Sequence, residues 1–385
     1  MTNLTNQSIE QLARFRKDLH KHPELSGEEA ETARAVLDFL ESYAPDQLIS
    51  GLGGHGIAAV YGKGDNGPSV LIRCELDALP IQEINEFEYR SVTDGVSHKC
   101  GHDGHMTMVA GLAALLHKNR PEKGRVILLF QPAEENGEGA VAILKDARFK
   151  DIEPDYVFAL HNLPGFPLGQ VVCRDGSFTA CVESVSIHFD GKTSHAGEPE
   201  KGVNPALSIA NALEQAMKMQ QPIDATDFLQ VTPIQISMGE EAYGISAGHG
   251  ILRLTIRSWK DEVMAEAKQR IDAFIHSTDG QNGLSVRGVW SHAFAANQNH
   301  PMAVGKVRKA AEEIGLDYRQ MDEAFRWGED FGLFTTKYPG AMFGLGAGEE
   351  CPALHNPDYD FPDGLIPLGI GMFHHILRQL LDEEV

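Results

Sequence analysis

Short apolar runs with β-strand character alternate with helical periodicity along much of the chain. Four of these runs are followed closely by polar residues able to do chemistry, and they occupy residues 70–72, 126–130, 157–160 and 341–345. Continuous apolar strands that alternate with helices predict an α/β fold with a mixed, mostly parallel sheet flanked by helices. In open sheets of this kind, ligands bind at the carboxyl ends of the strands. The pattern therefore places a candidate site at that edge.

The N-terminal segment predicts a helix on the outside of this sheet. Ser8 and Gln11 have the spacing of a capping box, and Leu12, Phe15 and Leu19 recur on one helical face. The segment lacks the apolar region of a secretory signal. No stretch of the sequence approaches the roughly 18 apolar residues that suggest a membrane span.

Residues 182–292 follow a different pattern, the βαββαβ order of a ferredoxin-like arrangement. The predicted elements are strands at 182–189, 228–237, 251–259 and 284–290, with helices at 205–219 and 262–277. Leu207, Ala210, Leu213 and Met217 form the predicted apolar face of the first helix. We therefore expect an inserted α+β domain at 182–292, with the first domain divided into 1–181 and 293–385.

Charge and cysteine content narrow the function classes. The 385-residue chain carries 33 basic and 55 acidic residues, a formal net charge of −22. This charge argues against nucleic acid and against an anionic membrane surface as partners. The five cysteines are an odd number scattered over a long chain, which favours reduced thiols and a cytoplasmic location.

The segment CGHDGH, residues 100–105, is the strongest local signal. In an extended segment, residues two positions apart point the same way, so Cys100 and His102 can face one ion. A thiolate and an imidazole suit zinc and similar metals. The segment also fits a loop with a buried cysteine and surface histidines. His105 opens the next predicted helix and is more typical of a capping or packing residue.

Glu134 and Glu135 follow the buried run at 126–130. Adjacent carboxylates at the end of an apolar strand are costly unless they are paired, solvated or bound to metal. Neighbours in an extended chain point in opposite directions, so one glutamate can ligate metal while the other acts as a general base. Alone, the pair also fits the start of a solvated loop.

His161 and His355 each follow or end an apolar run, and a single histidine in such a place is usually structural. Together with Cys100, His102 and Glu135, however, they would suffice for two metals that share a bridging ligand.

Two further residues have a functional and a structural interpretation. Asp77 could orient a histidine ligand or a bridging water, or it could be a turn aspartate at a strand end. His195, in the small-residue loop 191–197, could donate to a developing oxyanion, or it could be a surface histidine.

These motifs, in this order, resemble a known enzyme family. The matching segments are RKDLHKHPELSGEE, ELDALP, CGHDGH, QPAEE, ALHN, GKTSHAGEP, GEDFG and LHNPDYDFPD. They resemble the aminoacylase and hippurate-hydrolase branch of the binuclear zinc-type exopeptidase superfamily. That branch includes auxin-conjugate amidohydrolases and N-acetyl-diaminopimelate deacetylases, and the resemblance covers nearly the whole chain.

The resemblance implies a zinc-exopeptidase-like catalytic domain and an inserted lid domain that often mediates dimerisation, hence a homodimer or higher homo-oligomer. It implies two divalent ions, either zinc, manganese, nickel or cobalt. Their ligands would be Cys100, His102, Glu135, His161 and His355. Glu134 would be the general base, and His195 would stabilise the oxyanion. Arg257 could pair with a substrate carboxylate, or it could be a solvated strand arginine.

The implied reaction is hydrolysis of the amide bond of a small N-acyl amino acid, of the N-acetyl or N-benzoyl type. A dipeptidase or carboxypeptidase is one alternative, and a non-catalytic metal-dependent ligand-binding protein is another. The chain departs from the family at Glu75, where aspartate is usual. It also departs at 239–250, which lacks an Asn-Val-Ile-Pro segment whose asparagine helps to hold substrate. Strand 252–258 is a candidate for edge-to-edge pairing in a dimer.

Overall fold

The computed structural model describes residues 4–381 of the chain. The chain divides into two compact units. The first unit contains Met1–Phe178, Asn297–Ala324 and Asp330–Val385, as far as these are described, and the second contains Thr179–Ala296 and Phe325–Glu329. The second unit is wider than the expected 182–292, because it runs from Thr179 to Ala296 and also includes 325–329. Ala180 N donates to Phe325 O at 2.9 Å, which joins the two segments.

The elements are numbered in chain order. The helices are α1 Asn6–Lys21, α2 Ala30–Glu41, α3 His102–Lys118, α4 Gly139–Lys145, α5 Ala206–Met217, α6 Asp261–Thr278, α7 Pro301–Ile314, α8 Gly332–Thr335 and α9 Leu365–Leu381. The strands are β1 Gln47–Leu52, β2 Gly56–Tyr61, β3 Ser69–Glu75, β4 Arg125–Gln131, β5 Tyr156–Pro164, β6 Val171–Cys173, β7 Gly176–Thr179, β8 Cys181–Asp190, β9 Ser194–His195, β10 Leu229–Met238, β11 Ile245–Ser246, β12 His249–Ser258, β13 Ser285–Phe294, β14 Asn297–Asn299, β15 Tyr318–Gln320 and β16 Gly340–Gly348.

The sheet of the first unit has the strand order β1-β2-β4-β3-β5-β16-β6-β15. Its central strands β4, β3, β5 and β16 run parallel, and β15 runs parallel to β6. Antiparallel pairing joins β1 to β2, β2 to β4, and β6 to β16. The predicted mixed, mostly parallel sheet is therefore confirmed.

Burial explains why the central strands are continuous apolar runs. β3 is buried along its whole length and β4 along all but its first residue, since both faces of the sheet are covered. Helix α1 contributes Leu12 and Leu19 to the core, as predicted. Its cap is Thr5 instead of Ser8, because the Thr5 hydroxyl accepts the Ser8 N–H at 3.2 Å.

The second unit contains a four-stranded antiparallel sheet in the order β10-β12-β8-β13, with helices α5 and α6. The chain order is β8-α5-β10-β12-α6-β13, which is the predicted ferredoxin-like order. A separate two-stranded ribbon pairs β9 with β11.

The apolar face predicted for α5 is wrong at Leu207, Ala210 and Met217, which are exposed, whereas Leu213 is partly buried against the core of the second unit. Leu207 is 85% exposed, whereas Ile209 is 4% exposed and packs in the core of the second unit with Ala212 and Ala216. Helix α5 carries apolar residues on both of these faces, so periodicity alone did not distinguish them. The buried face is the one with small side chains, which lets the helix lie close to its sheet.

The strand proposed for edge-to-edge pairing is also misplaced. Residues 252–258 belong to β12, which lies between β10 and β8 and has hydrogen-bonded neighbours on both sides. The edges of this sheet are β10 and β13.

Two further predictions concern the environment of the protein. Within residues 4–381, no helix is both long and apolar enough to cross a membrane. All five cysteines are free thiols. The cytoplasmic location stays a prediction.

Candidate metal centre

Four neighbouring parallel strands of the first unit bring the candidate residues to one edge. Asp77 follows β3, Glu134 and Glu135 follow β4, His161 lies near the end of β5, and His355 follows β16. The carboxyl ends of parallel strands meet at the same sheet edge, where α/β proteins bind ligands.

Cys100 and His102 are brought together by a turn and not by extended chain. Gly101 has a φ of +92°, and α3 begins at His102. A side chain at position 101 would have its Cβ 2.8 Å from the Asn162 amide, so glycine is required there. The extended geometry assumed for this pair is wrong, but the thiol and the imidazole still converge. The ligand atoms of Cys100, His102 and His161 lie within 4.8 Å of one another.

The buried histidines His102 and His161 both present Nε2 to the cluster, because their Nδ1 atoms are engaged elsewhere. His102 Nδ1 donates to the backbone oxygen of Asp77 at 2.8 Å, and His161 Nδ1 donates to the backbone oxygen of Asn162 at 2.9 Å. His161 Nε2 lies 3.5 Å from Cys100 Sγ. Histidines that ligate metal almost always donate their other ring N–H in this way.

Glu134 and Glu135 both point towards the imidazole of His102. They lie in a turn after Ala133, whose φ is +52°, so the expectation that they point in opposite directions is wrong. His102 Nε2 is 4.0 Å from Glu134 Oε2 and 3.8 Å from Glu135 Oε1. The turn therefore brings two carboxylates to one imidazole.

His355 occupies the exposed side of the cluster, with 52% of its side chain accessible. Its Nε2 is 4.0 Å from Glu135 Oε2, and it groups with Cys100 and Glu135 as a second set of ligand atoms within 4.8 Å. Its φ of +65° is unusual for histidine. The backbone N–H of His355 donates to Lys99 O at 2.8 Å, which anchors this strained position.

The electrostatics of the cluster fit a cation. Burial and the carboxylates of Glu135 and Glu134 raise the pKa of the Cys100 thiol. Burial alone would lower the pKa of His102, but Asp77, Glu75 and Glu135 raise it to about 10. Burial and the nearby His105 lower the pKa of His161 to about 3.

One buried nitrogen points to the same conclusion. Among residues 4–381, His102 Nε2 has no hydrogen-bond partner. The cluster thus offers sulfur, nitrogen and oxygen donors with excess negative charge, and such a donor set suits zinc and similar divalent ions.

Asp77 lies where the prediction placed it, beside the candidate ligands. Its Oδ2 accepts the Ser26 hydroxyl at 2.7 Å and the Glu135 backbone N–H at 2.9 Å. Its backbone oxygen orients His102. One aspartate therefore contacts two of the candidate ligand residues.

His105 belongs to the site, although the sequence suggested only capping or packing. Its Nδ1 donates to Glu75 Oε2 at 2.7 Å, and its Nε2 lies 2.6 Å from Asn162 Oδ1. Glu75 also pairs with Arg73, so the longer side chain at this position bridges an arginine and a histidine. The spacing from His102 to His105 places both rings on the inner side of the first turn of α3.

Asp330, from the GEDFG segment, is a second residue that site prediction missed. Its carboxylate accepts from Arg73, from Gln131 Nε2 and from the Ala140 backbone N–H. Its own backbone N–H lies 3.4 Å from Glu134 Oε1. The two adjacent acidic residues of the GEDFG motif were the available sequence signal.

His195 and Arg257 lie in the second unit. His195 Nδ1 accepts the Gly197 N–H at 3.0 Å, and His195 pairs with Ile245 across the β9–β11 ribbon. Arg257 Nη1 donates to Arg326 O at 2.9 Å. Burial and the neighbouring Arg326 lower the pKa of Arg257.

Comparison with known proteins decides the family. The model of Peptidase family M20/M25/M40 matches residues 71–379. The chain belongs to this family.

Relatives of this M20-family chain extend over most of its length. An N-acetyl-L-cysteine deacetylase of Bacillus subtilis is 30% identical over 97% of this chain and 89% of the relative. An N-acetyldiaminopimelate deacetylase of Priestia megaterium is 29% identical over 94% of this chain and 96% of the relative.

Solved structures share the fold. A dinuclear metal-binding peptidase of Bacillus subtilis superimposes with a TM-score of 0.81 at 24% identity, covering 99% of this chain and 100% of the other. An aminobenzoyl-glutamate utilization protein of Klebsiella pneumoniae gives a TM-score of 0.73 at 20% identity, covering 98% and 96%. The predicted family resemblance and the prediction of a metal-dependent amide hydrolase are both confirmed.

A buried ion network supports the start of α3 in this M20 chain. Asp103, next to His102, accepts from Arg16 at 3.2 Å and from His20 Nδ1 at 2.8 Å. The other ring nitrogen of His20 lies 3.0 Å from Glu83 Oε1. Burial alone would lower the pKa of His20, but Asp103 and Glu83 raise it to about 9.

This network predicts a pH-dependent stability. Because the folded pKa of His20 exceeds its unfolded value, the stabilisation is complete below about pH 6.5 and is lost as the pH rises towards 9. The loss amounts to about 3 kcal/mol at most. Urea unfolding at pH 6.5 and pH 9 should show this fall in wild type and a much smaller one in His20→Gln.

His117→Gln is the matched control, because His117 is an exposed histidine on the same helix α3. It should keep the wild-type pH dependence. An unchanged pH dependence in His20→Gln would show that another group controls it.

Proposed function

We propose that this protein hydrolyses the amide bond of N-acyl amino acids, of the N-acetyl or N-benzoyl type, with two divalent ions and Glu134 as the general base. One observation carries this proposal. Glu134 lies beside the ligand cluster, 4.0 Å from His102 Nε2, while ligands sufficient for two ions are available without it. A carboxylate that lies beside the metal ligands, but is not itself needed as a ligand, can transfer protons during the reaction.

The residues that would hold the ions are Cys100, His102, Glu135, His161 and His355. Zinc, manganese, nickel or cobalt bound there would supply the Lewis acidity that polarises a carbonyl and acidifies water. Cys100 belongs to both groups of ligand atoms, the one with His102 and His161 and the one with Glu135 and His355. We therefore propose that Cys100 would be the ligand shared by the two ions.

Glu134 would move the proton. Its Oε2 faces the cluster, and its Oε1 lies 3.4 Å from the Asp330 N–H. We propose that Glu134 takes a proton from the water as it attacks the carbonyl carbon. Glu134 then delivers this proton to the amine that leaves when the C–N bond breaks.

His195 and Arg257 would act on the substrate from the second unit. Because His195 Nδ1 accepts the Gly197 N–H, the proton of its neutral ring lies on Nε2, which can donate to a developing oxyanion. Arg257 is a candidate partner for the substrate carboxylate. We propose that the second unit acts as a lid that excludes water, with His195 supplied by this chain or by a second copy of it.

The relatives support the substrate class. Those named above act, by their names, on N-acetyl-L-cysteine and N-acetyldiaminopimelate. Both are amino acids with an acetylated amine, so the common chemistry is a small acyl group on an amino acid amine. We expect the same class of substrate here.

We predict that Glu134→Gln keeps its metal and loses turnover. General base catalysis contributes about 10²- to 10⁴-fold, so kcat should fall by that factor while metal content by mass spectrometry stays unchanged. The assay is a panel of N-acetyl amino acids, N-benzoylglycine and free dipeptides with zinc- or manganese-loaded enzyme. Glu138→Gln, in an exposed carboxylate after the same turn, is the control and should keep wild-type kcat.

The outcomes of this panel separate the alternatives. Full turnover in Glu134→Gln would remove Glu134 as the base. Preferred cleavage of free dipeptides would make the protein a dipeptidase. A metal-loaded wild type that cleaves none of these amides would favour a ligand-binding protein.

We further propose a homodimer formed through the second unit at β10. This edge strand exposes Ile234, Ile236 and Met238 along its outer half. Exposed apolar edge strands pair with other chains, and a two-fold axis lets an antiparallel strand pair with its own copy.

The dimer predicts a mass change that light scattering can measure. Ile236→Lys should convert a dimer into a monomer, because a charge at a paired apolar edge is costly to bury. Val289→Lys on the opposite edge strand β13 is the matched control, since Val289 is also exposed. A monomeric wild type, or a dimer that only Val289→Lys disrupts, would contradict this interface.

A further inference from the structure

Glu29 is a buried carboxylate in the PELSGEE segment and lies outside the set of candidate metal ligands. It directly precedes α2 and is fully buried. Its Oε1 accepts two backbone N–H groups, from Gly27 at 2.8 Å and from Ala133 at 2.7 Å. The second bond spans 104 positions and reaches the residue immediately before Glu134.

Capping of α2 does not explain this carboxylate. Glu29 occupies the N-cap position, but its side chain makes no capping hydrogen bond to the helix. Within residues 4–381, its Oε2 has no hydrogen-bond partner. A carboxyl group is costly to bury, and here its contacts are directed to Gly27 and Ala133 instead of to the helix that follows it.

Ala133 is the strained residue of the site. Its φ of +52° lies in the left-handed region that non-glycine residues rarely adopt. Such conformations persist only when the surrounding structure holds them. Both polar backbone groups of Ala133 are held: its N–H by Glu29, and its C=O by the Gly139 N–H at 2.9 Å.

This strained turn sets the direction of the two glutamates that follow. Ordinary extended backbone would point Glu134 and Glu135 in opposite directions, whereas the turn brings both to within 4.0 Å of His102 Nε2. The Gly139 contact comes from the same turn, while Glu29 comes from a distant part of the chain. Glu29 is therefore the external support at Ala133, while Asp77 Oδ2 holds the Glu135 N–H of the same turn at 2.9 Å.

We propose that Glu29 is a positioning residue that holds Ala133 in its left-handed conformation and thereby aims Glu134 at the substrate. The inference rests on the proposed role of Glu134 as the general base. Glu29 touches neither substrate nor metal in this account and acts only through the turn.

Amide exchange and kinetics of matched variants test this role. Glu29→Met keeps the side-chain volume and removes both oxygens, whereas Glu29→Gln keeps an acceptor oxygen. Glu24→Met is the control, because Glu24 Oε2 accepts the Thr32 N–H at 2.7 Å and so supports the start of α2 without contacting the turn.

In Glu29→Met, exchange at the Ala133 amide of the metal-free protein should be about tenfold faster, because this buried donor loses its acceptor. In the metal-loaded protein, kcat should fall by about tenfold or more while KM and metal content stay near wild type. Glu29→Gln should resemble wild type in both measurements. Glu24→Met should lower the melting temperature and leave Ala133 exchange and kcat unchanged.

A double variant tests the mechanism of the loss. Glycine adopts positive φ without a steric penalty, so Ala133→Gly should restore part of kcat in the Glu29→Met background. If Glu29→Met does not fold, Glu29→Asp withdraws the acceptor by one methylene and serves in its place.

The amide-exchange measurement and the kinetic measurement can each contradict the proposal independently of the other. Unchanged Ala133 exchange in Glu29→Met would overturn the proposal whether or not the protein is active. Faster exchange with an unchanged kcat would remove the link to Glu134. If wild type hydrolyses no amide, the proposed function fails, and exchange alone then decides whether Glu29 holds the turn.

Discussion

The first unit is organised around negative charge and metal-binding donors collected at the carboxyl ends of four parallel strands. Burying a thiol, two carboxylates and two imidazoles within a few ångströms is unfavourable without a compensating cation. The raised pKa of Cys100 and the opposite shifts of His102 and His161 are direct consequences of this crowding. The rest of the unit holds these groups in place.

That support comes from buried polar residues that lie far apart in the sequence. Asp77 contacts His102 through its backbone and Glu135 through its side chain. Asp330 is held by Arg73 and Gln131 and approaches Glu134. Each contact fixes the direction of a reactive side chain, which is what catalysis by positioning requires.

Apolar periodicity predicted the sheet and the sites where strands end, because continuous runs buried on both faces have a distinctive pattern. It therefore predicted that His161, Glu135 and His355 would lie at the same edge of the sheet. It failed where local backbone departs from regular structure. The turns at Gly101 and Ala133 are left-handed, and local sequence signals do not reveal that Asn162 fills the space of a side chain at position 101 or that Glu29 accepts the Ala133 N–H.

Two other errors have the same origin in tertiary packing. Helix α5 carries two apolar faces, and only the sheet beneath it determines that Ile209 is buried while Leu207 is exposed. The sequence of strand β12 is compatible with an edge strand, and only the structure shows that β10 and β8 lie on either side of it. The sequence predicts a capping or packing role for His105 from its position at the start of a helix. Its contacts are instead with Glu75 in β3 and Asn162 in β5, which the sequence does not place beside it.

Anomalous X-ray diffraction from crystals soaked in manganese or zinc would show whether two ions bind at this cluster. We expect two anomalous peaks among Cys100, His102, Glu135, His161 and His355, with Cys100 contacting both and Glu134 contacting neither. Peaks located elsewhere, or a metal ligated by Glu134 in place of Glu135, would contradict it.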